Sequence, residues 1–382
     1  MRPPRRDGRL RRLLRHRVTR VVLALVGVFL CWTVWSMSEA LTVPGTDNVA
    51  SRVAEWARNH YLGPLVTLAE RLSYKAPKAG GKPSFALTGP GATTPARHGH
   101  KHRAIRADVP PRLASIAHTP LAGEGIWRTL GSVHGVPAIF ATYMRPDSVH
   151  TSYVAGVVSM DQRLVRFALH PGIEDPGPGN WRVPPTIPPR ARRGLLATFN
   201  GGFKIDSSGG GFYLNGVTKG ALRKGAASLV YYRNGRVAIG VWGHGLGMTS
   251  DVVGVRQNLR PIVSNGAVPA AVDKNIISNW GATLGGGLYV WRSGVGITRD
   301  GRIIFVYGPA LTVRTLADLL LRAGSVEAMQ LDINPEWMSF MSYHPKHSRA
   351  NPTPVNLLPD QAQPPYRYYS VASRDFTAVY AR

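Results

Sequence analysis

The chain has 382 residues, 44% hydrophobic and 18% charged, which is length enough for one large domain or two small ones with a buried core. Lysine and arginine outnumber aspartate and glutamate 47 to 21, a formal net charge of +26, so an anionic partner is expected: nucleic acid, lipid headgroups or acidic glycan. The single cysteine, Cys31, excludes a disulfide framework, a thiol nucleophile and a cysteine metal site from everything beyond it.

Nine arginines fall between Arg2 and Arg20, and Val21 to Met37 follows without a charge, ending in Trp32 and Trp35, whose indoles favour an interface. The positive-inside rule reads 1–20 as a cytoplasmic basic tail and 21–38 as a transmembrane anchor, with the rest of the chain outside a plasma membrane. Small residues at Ser38-Glu39-Ala40 leave a cleaved signal open; the length of the apolar block favours the anchor. Once the chain is outside, nucleic acid is set aside as a partner and acidic envelope polymers are preferred. The richness in Arg, Ala, Gly and Pro suits a GC-rich bacterial genome.

Residues 39–74 read as two short amphipathic helices, with Val49, Val53 and Trp56 on one face and a break at Gly63-Pro64. Residues 75–120 have the composition of a basic Pro/Gly-rich tether, and the His-rich run from Arg97 to Arg103 reads as a solvated basic stretch rather than a metal site. The folded domain is placed at 121–382. Strand-like runs follow at Ala138–Tyr143, Tyr153–Ser159, Leu164–Leu169, Leu195–Phe199, Phe212–Val217, Leu229–Tyr232 and Val237–Val241, with Asn234-Gly235 as a hairpin turn. The Pro-rich insert 171–189 is a surface loop whose Trp181 is exposed unless it covers something.

The Leu195–Phe199 run stops at Asn200-Gly201-Gly202, where positive φ or close backbone approach calls for glycine, and this elbow exposes Asn200 and the N–H groups of Gly201 to Phe203, with Lys204 and Asp206 beyond. A second hairpin sets Asp300-Gly301 between Val295–Thr298 and Ile303–Tyr307. Thr315 to Asp318 fits a capping box for a helix with Leu316, Leu319 and Leu320 on its apolar face and a stop at Gly324. A short strand then ends at Leu331-Asp332, so strand, helix and strand form a crossover unit. Asp375 to Tyr380 reads as a closing strand. The fold class expected is α+β, with mixed, mainly antiparallel sheets.

Three pieces in this order, Thr198 to Phe203, Arg292 to Thr298 with Asp300-Gly301, and Leu331-Asp332, resemble the phosphodiester glycosidase family over about two-fifths of the chain. Two departures stand out: Ile333-Asn334-Pro335-Glu336-Trp337 replaces a glycine-rich run, and Lys204 replaces an aromatic residue. The resemblance implies hydrolysis of a sugar–phosphodiester or related glycosidic bond. Such a bond has a weakly basic leaving group; what it needs is a cation on the phosphate, a carboxylate at the anomeric carbon and hydrogen bonds to the sugar. Asp332 is the first choice for the carboxylate, Arg292 and Lys204 for the phosphate, Asn200 for a hydrogen bond, and Glu336 or Asp206 for a second carboxylate. Gly201, Gly202, Phe203 and Ser293 complete the expected site.

Each has a structural alternative: Arg292 as partner of a structural carboxylate, Asp332 as the cap of a turn, Asn200 as a turn former. Two rival functions stay open, a non-catalytic module binding acidic glycan and a structural partner in envelope assembly. No phosphate loop, dinucleotide fingerprint or metal-ligand spacing is present, so neither cofactor nor metal is expected.

Overall fold

The computed structural model describes residues 7–88, 108–117, 119–274, 276–346 and 348–382. The His-rich run 97–103 lies outside them. Two compact units are present, Met1–Val66 and Thr67–Arg382.

In the first unit a single helix, Asp7–Thr42, contains the stretch Arg17–Thr42, long and apolar enough to cross a membrane, with a mean hydropathy of 2.0. Asn48 starts the next helix, Val49–Asn59, its Oδ1 accepting from Ser51 N at 2.8 Å. Trp56 is buried, donates from Nε1 to Ser36 Oγ at 3.0 Å and stacks on His60. Gly63-Pro64 opens a third helix, Gly63–Ser73, where the missing proline N–H costs nothing.

The second unit is built on three sheets, and the α+β expectation holds. In spatial order the largest has strands Arg128–Val133, Val136–Met144, Ala155–Met160, Ile303–Leu311, Val290–Thr298, Ser325–Gln330 and Pro261–Val263. The second has Gly245–Leu246, Val237–Trp242, Ala227–Tyr232, Val252–Gln257, Phe212–Leu214 and Val217–Lys219. The third has Thr353–Asn356, Phe340–His344, Leu195–Asn200, Phe376–Ala381 and Val165–His170. Among the described strands every pairing is antiparallel except that of Gly245–Leu246 with Val237–Trp242. One core runs through all three sheets, with Phe199, Phe212, Phe305, Phe340 and Leu331 in contact across them.

The crossover is present. Ile303–Leu311 and Ser325–Gln330 both pair antiparallel with Val290–Thr298, so they run parallel to each other on its two sides, joined by the helix Val313–Arg322. A Cβ on Gly294 would sit 3.0 Å from Leu320 Cδ1 and 3.2 Å from Leu316 Cδ2, so the helix packs directly on the middle strand at this glycine. The capping box lies three residues earlier than the sequence indicated: Thr312 is the N-cap and Thr315 its reciprocal partner, while Asp318 pairs with Arg314 one turn back.

Trp181 is buried, because its indole packs edge-on against Phe212 at 5.2 Å and donates to Gly177 O at 2.8 Å. Leu87 and Leu113, from the stretch read as tether, are buried in the sheet cores.

Candidate active site

Strand ends from all three sheets meet at one place. Asn200 ends its strand in the third sheet, Asp375 immediately precedes the neighbouring strand, Arg256 and Gln257 end a strand of the second sheet, and Leu331-Asp332 follow a strand of the first. Asn258 ties two of these together, donating from Nδ2 to the carbonyls of Gln330 and Leu331 at 2.7 and 2.8 Å.

Arg256 is at the centre, 1% exposed. Its Nε donates to Asp375 Oδ2 at 3.0 Å, its Nη1 to Gln257 O at 2.8 Å and its Nη2 to Phe203 O, and Asp175 Oδ2 stands 3.5 Å from Nη2. Asp332 adds a third negative charge to its field. Arg374 reaches toward Asp175 at 4.0 Å and lies 4.8 Å from the Trp337 ring centre. Among the described residues the buried oxygens Asp375 Oδ1, Asp175 Oδ2 and Asn258 Oδ1 accept no hydrogen bond.

Burial sets the titration of this centre. It pushes Asp375 up to about 6, against the attraction of Arg256. It also raises Asp332, against Arg374 and two backbone N–H groups. Lys204, half-buried beside them, is pulled down to about 8 by burial and then by the like charge of Arg374.

Asn200, Ser293 and Asp332 are brought together. Asn200 Nδ2 donates to Ser293 Oγ at 3.0 Å, and Ser293 Oγ accepts from Asp332 N at 3.1 Å; Ser293 N donates to Asp332 O at 2.9 Å. Asn200 Oδ1 accepts from Ser339 N at 3.2 Å, so this side chain spans two segments. Asp332 Oδ1 caps the turn that follows, accepting from Ile333 N and Asn334 N at 2.7 and 2.9 Å.

Gly201 and Gly202 earn their place by close approach, not by positive φ, which neither adopts. A Cβ on Gly201 would lie 2.1 Å from Asp375 Oδ2, and one on Gly202 3.3 Å from Arg256 Cζ and 3.2 Å from Asn258 Cγ. Phe203 is buried with Val290 and Ile333.

Arg292 points elsewhere. Alternation along its strand puts it on the face of Gly294, beneath the crossover helix, while Ser293 faces Asn200. Its Nε donates to Leu311 O at 3.0 Å and its Nη1 to Gln330 Oε1 at 2.8 Å, and burial lowers the guanidinium to about 10. Glu336 is half-buried on the loop after Asp332, where its carbonyl accepts from Gln363 Nε2 and Arg367 Nη1. Asp206 is exposed, two residues beyond Lys204, whose charge it favours.

Arg256, Asp375, Arg374 and Asp175 are absent from the sequence-derived set. The one local signal was a charged pair of positions, Arg256 and Asp375, at the ends of otherwise apolar strands. Among the described residues no group of three or more His, Cys, Asp or Glu is arranged to hold a metal.

The fold and centre define an α+β protein of mainly antiparallel sheets, with an internal arginine–aspartate cluster where three sheets converge. Within this architecture, residues 193–332 match the sequence model of the phosphodiester glycosidase family. No curated protein sequence matches the chain significantly. Among solved structures, the zebrafish N-acetylglucosamine-1-phosphodiester alpha-N-acetylglucosaminidase catalytic domain, auto-inhibited by its pro-peptide, is similar at 13% identity and a TM-score of 0.43, over 71% of this chain and 96% of that one. A hypothetical protein from Synechocystis aligns at 12% identity and TM-score 0.35, over 66% and 64% of the two chains. A protein described as exported from Burkholderia pseudomallei aligns at 11% and 0.36, over 60% and 74%.

Proposed function

We propose that this chain is a membrane-anchored glycosidase that hydrolyses a sugar–phosphodiester or related glycosidic bond in a cell-envelope glycan, with the sheet domain on the extracytoplasmic side. The observation that supports it is the buried Arg256, paired with Asp375 and Asp175 and in the field of Asp332, beside the Asn200-Gly201-Gly202 backbone; Asn200, Arg256 and Asp332 lie in the segment that matches the glycosidase family, Asp175 and Asp375 outside it.

The residues divide the work as such a reaction requires. Lys204 and Arg374 are cations close enough to repel each other, a relation that a bound phosphate relieves. Asp332 is the carboxylate that faces the anomeric carbon, as nucleophile or as counter-charge to an oxocarbenium-like centre. Asp375, pushed up to about 6 by burial, moves the proton. In the balanced reaction water adds its hydroxyl to the anomeric carbon and its proton to the departing phosphate oxygen. Asn200 and Ser293 hold the Asp332 backbone; Arg292 acts through Gln330 as a positioning residue.

Asp332 is 4% exposed and Asp375 1%, so substrate entry requires a local opening; segment 333–337, which adjoins Asp332 and sets Trp337 on Arg374, is the part of the chain we assign to it. The test is hydrolysis of a panel of sugar-1-phosphodiesters and aryl glycosides by the full-length protein in detergent. Release of free sugar supports the reading; a folded protein inert on the whole panel contradicts it.

A further inference from the structure

The segment that follows Asp332 has a second role. Its Pro335 also lines an open cavity of about 330 Å³ whose other walls include Tyr74, Tyr153, Tyr289 and Trp291. The four aromatic residues are all partly exposed, and the exposed Ser73 and Lys75 also line the opening.

Several features hold these rings in place. Tyr74 lies against Gly285 and Gly287 so closely that a Cβ on Gly287 would come within 2.3 Å of its ring, and its hydroxyl donates to Tyr289 O at 3.0 Å. Tyr289 is backed by the His150 ring at 4.3 Å, which is itself fixed by Asp147 at 2.8 Å from Nδ1. Tyr289 and Trp291 are two apart on an extended segment and share a face, while Val290 between them points inward and packs with Phe203 and Ile333. This small apolar cluster joins the cavity, lined by Tyr74 and Val290, to Phe203 and Ile333, the chain neighbours of Lys204 and Asp332.

We propose that this cavity is a sugar-binding subsite that holds a non-reacting residue of a glycan chain beside the candidate active site. Flat rings with polar tips match a pyranose, which offers a C–H face to an aromatic ring and keeps its hydroxyls at the edge, within reach of Tyr74, Ser73 and Lys75. An acyl chain would call for a closed aliphatic tunnel, whereas this cavity is open and walled by four aromatic rings, its other apolar liners being Val290, Ala310 and three prolines. The volume falls within the range of about 300–1,000 Å³ usual for small-ligand sites. The subsite's place in the reaction rests on the glycosidase reading above; its capacity to bind sugar does not. As a subsite it makes the protein a reader of polymer, since binding energy from the held residue is available to open segment 333–337.

The experiment is calorimetric titration of the full-length protein, in a detergent without a sugar headgroup, with cellotetraose, maltotetraose and chitotetraose. At least one tetraose is expected to bind, with affinity at least tenfold weaker in Trp291→Ala and in Tyr289→Leu, and near wild type in Trp291→Phe. Two substitutions at different positions guard against misfolding of either, and thermal unfolding is followed in parallel. No binding of any tetraose, or wild-type binding by folded Trp291→Ala and Tyr289→Leu, overturns the subsite. Binding lost in these variants with no hydrolysis by the wild type overturns the glycosidase reading alone and leaves the subsite standing.

Discussion

The backbone of Gly201 lies against Asp375, so that a Cβ at position 201 would come within 2.1 Å of the Oδ2 atom that pairs with Arg256. A glycine in the most recognisable motif of the chain is thereby tied to a carboxylate 174 residues later, through contact rather than through turn geometry. Gly201→Ala must displace either the strand end or the ion pair. It is expected to destabilise the fold by about 3 kcal/mol, the upper part of the usual range for overpacking. Gly202→Ala, whose nearest neighbours are side-chain atoms at 3.2 to 3.4 Å, is expected to cost less. Urea unfolding of the two variants gives the comparison.

Removing one member of the Arg256–Asp375 pair leaves the other charge buried. Arg256→Met is expected to cost about 3–5 kcal/mol, because Asp375 and Asp175 both lose their counter-charge. The double change Arg256→Met with Asp375→Asn is expected to recover part of that loss. A double-mutant cycle by chemical denaturation checks it; additive effects would mean that the two residues are not coupled.

The pKa of Lys204, lowered to about 8 by burial and Arg374, gives the proposed phosphate site a basic limit. Above that pH the amine is neutral and its attraction for phosphate is lost, so kcat/KM is expected to fall as pH rises through 8. Lys204→Arg keeps the charge and should move the fall to higher pH; Lys204→Met should remove it and lower kcat/KM at pH 7 by about tenfold, on the scale of one charge-assisted hydrogen bond.

His170 and Asp375 pull acid stability in opposite directions. Burial lowers His170 from 6.5 to about 4, so its contribution is complete above pH 6.5 and is lost as pH falls toward 4. Asp375 is raised from 3.8 to about 6, so its contribution is complete below pH 3.8 and is lost as pH rises through 6. His170→Phe keeps a ring on Phe376, against which the imidazole stacks at 4.6 Å, and removes the titrating group together with its contact to Pro184 O at 3.0 Å, a loss that is the same at every pH where the imidazole is neutral. Thermal unfolding of this variant is expected to lose less stability between pH 7 and 4 than the wild type; an equal loss would show that His170 is not the group responsible.

Local pattern carried the fold a long way. The other apolar runs, the Asn234-Gly235 and Asp300-Gly301 turns and the amphipathic helix before Gly324 read correctly because strand alternation, turn chemistry and helical period are short-range properties, but Phe212–Val217 is not one strand: it is a hairpin of Phe212–Leu214 and Val217–Lys219 that turns at Asn215-Gly216, where both residues take positive φ. The helix cap was misplaced by three residues because Thr312 and Thr315 can both fill the role, and packing decides between them. The candidate centre was legible only in part. Asn200, Ser293 and Asp332 lie in motifs and are found together, whereas Arg256, Asp175 and Asp375 meet through the mutual placement of three sheets, which no window of sequence contains. The direction of Arg292 depends on which face of its strand the crossover helix covers, and Gly294, against Leu316 and Leu320, is the residue that shows it.

The most direct measurement is hydrolysis of a sugar-1-phosphodiester panel by full-length wild type, Asp332→Asn and Asp375→Asn side by side, with thermal unfolding of each. Turnover is expected in the wild type, with a loss of about a thousandfold or more in Asp332→Asn without loss of folding, on the scale of removing a group that acts only in the transition state. Turnover by Asp332→Asn equal to that of the wild type would contradict this reading.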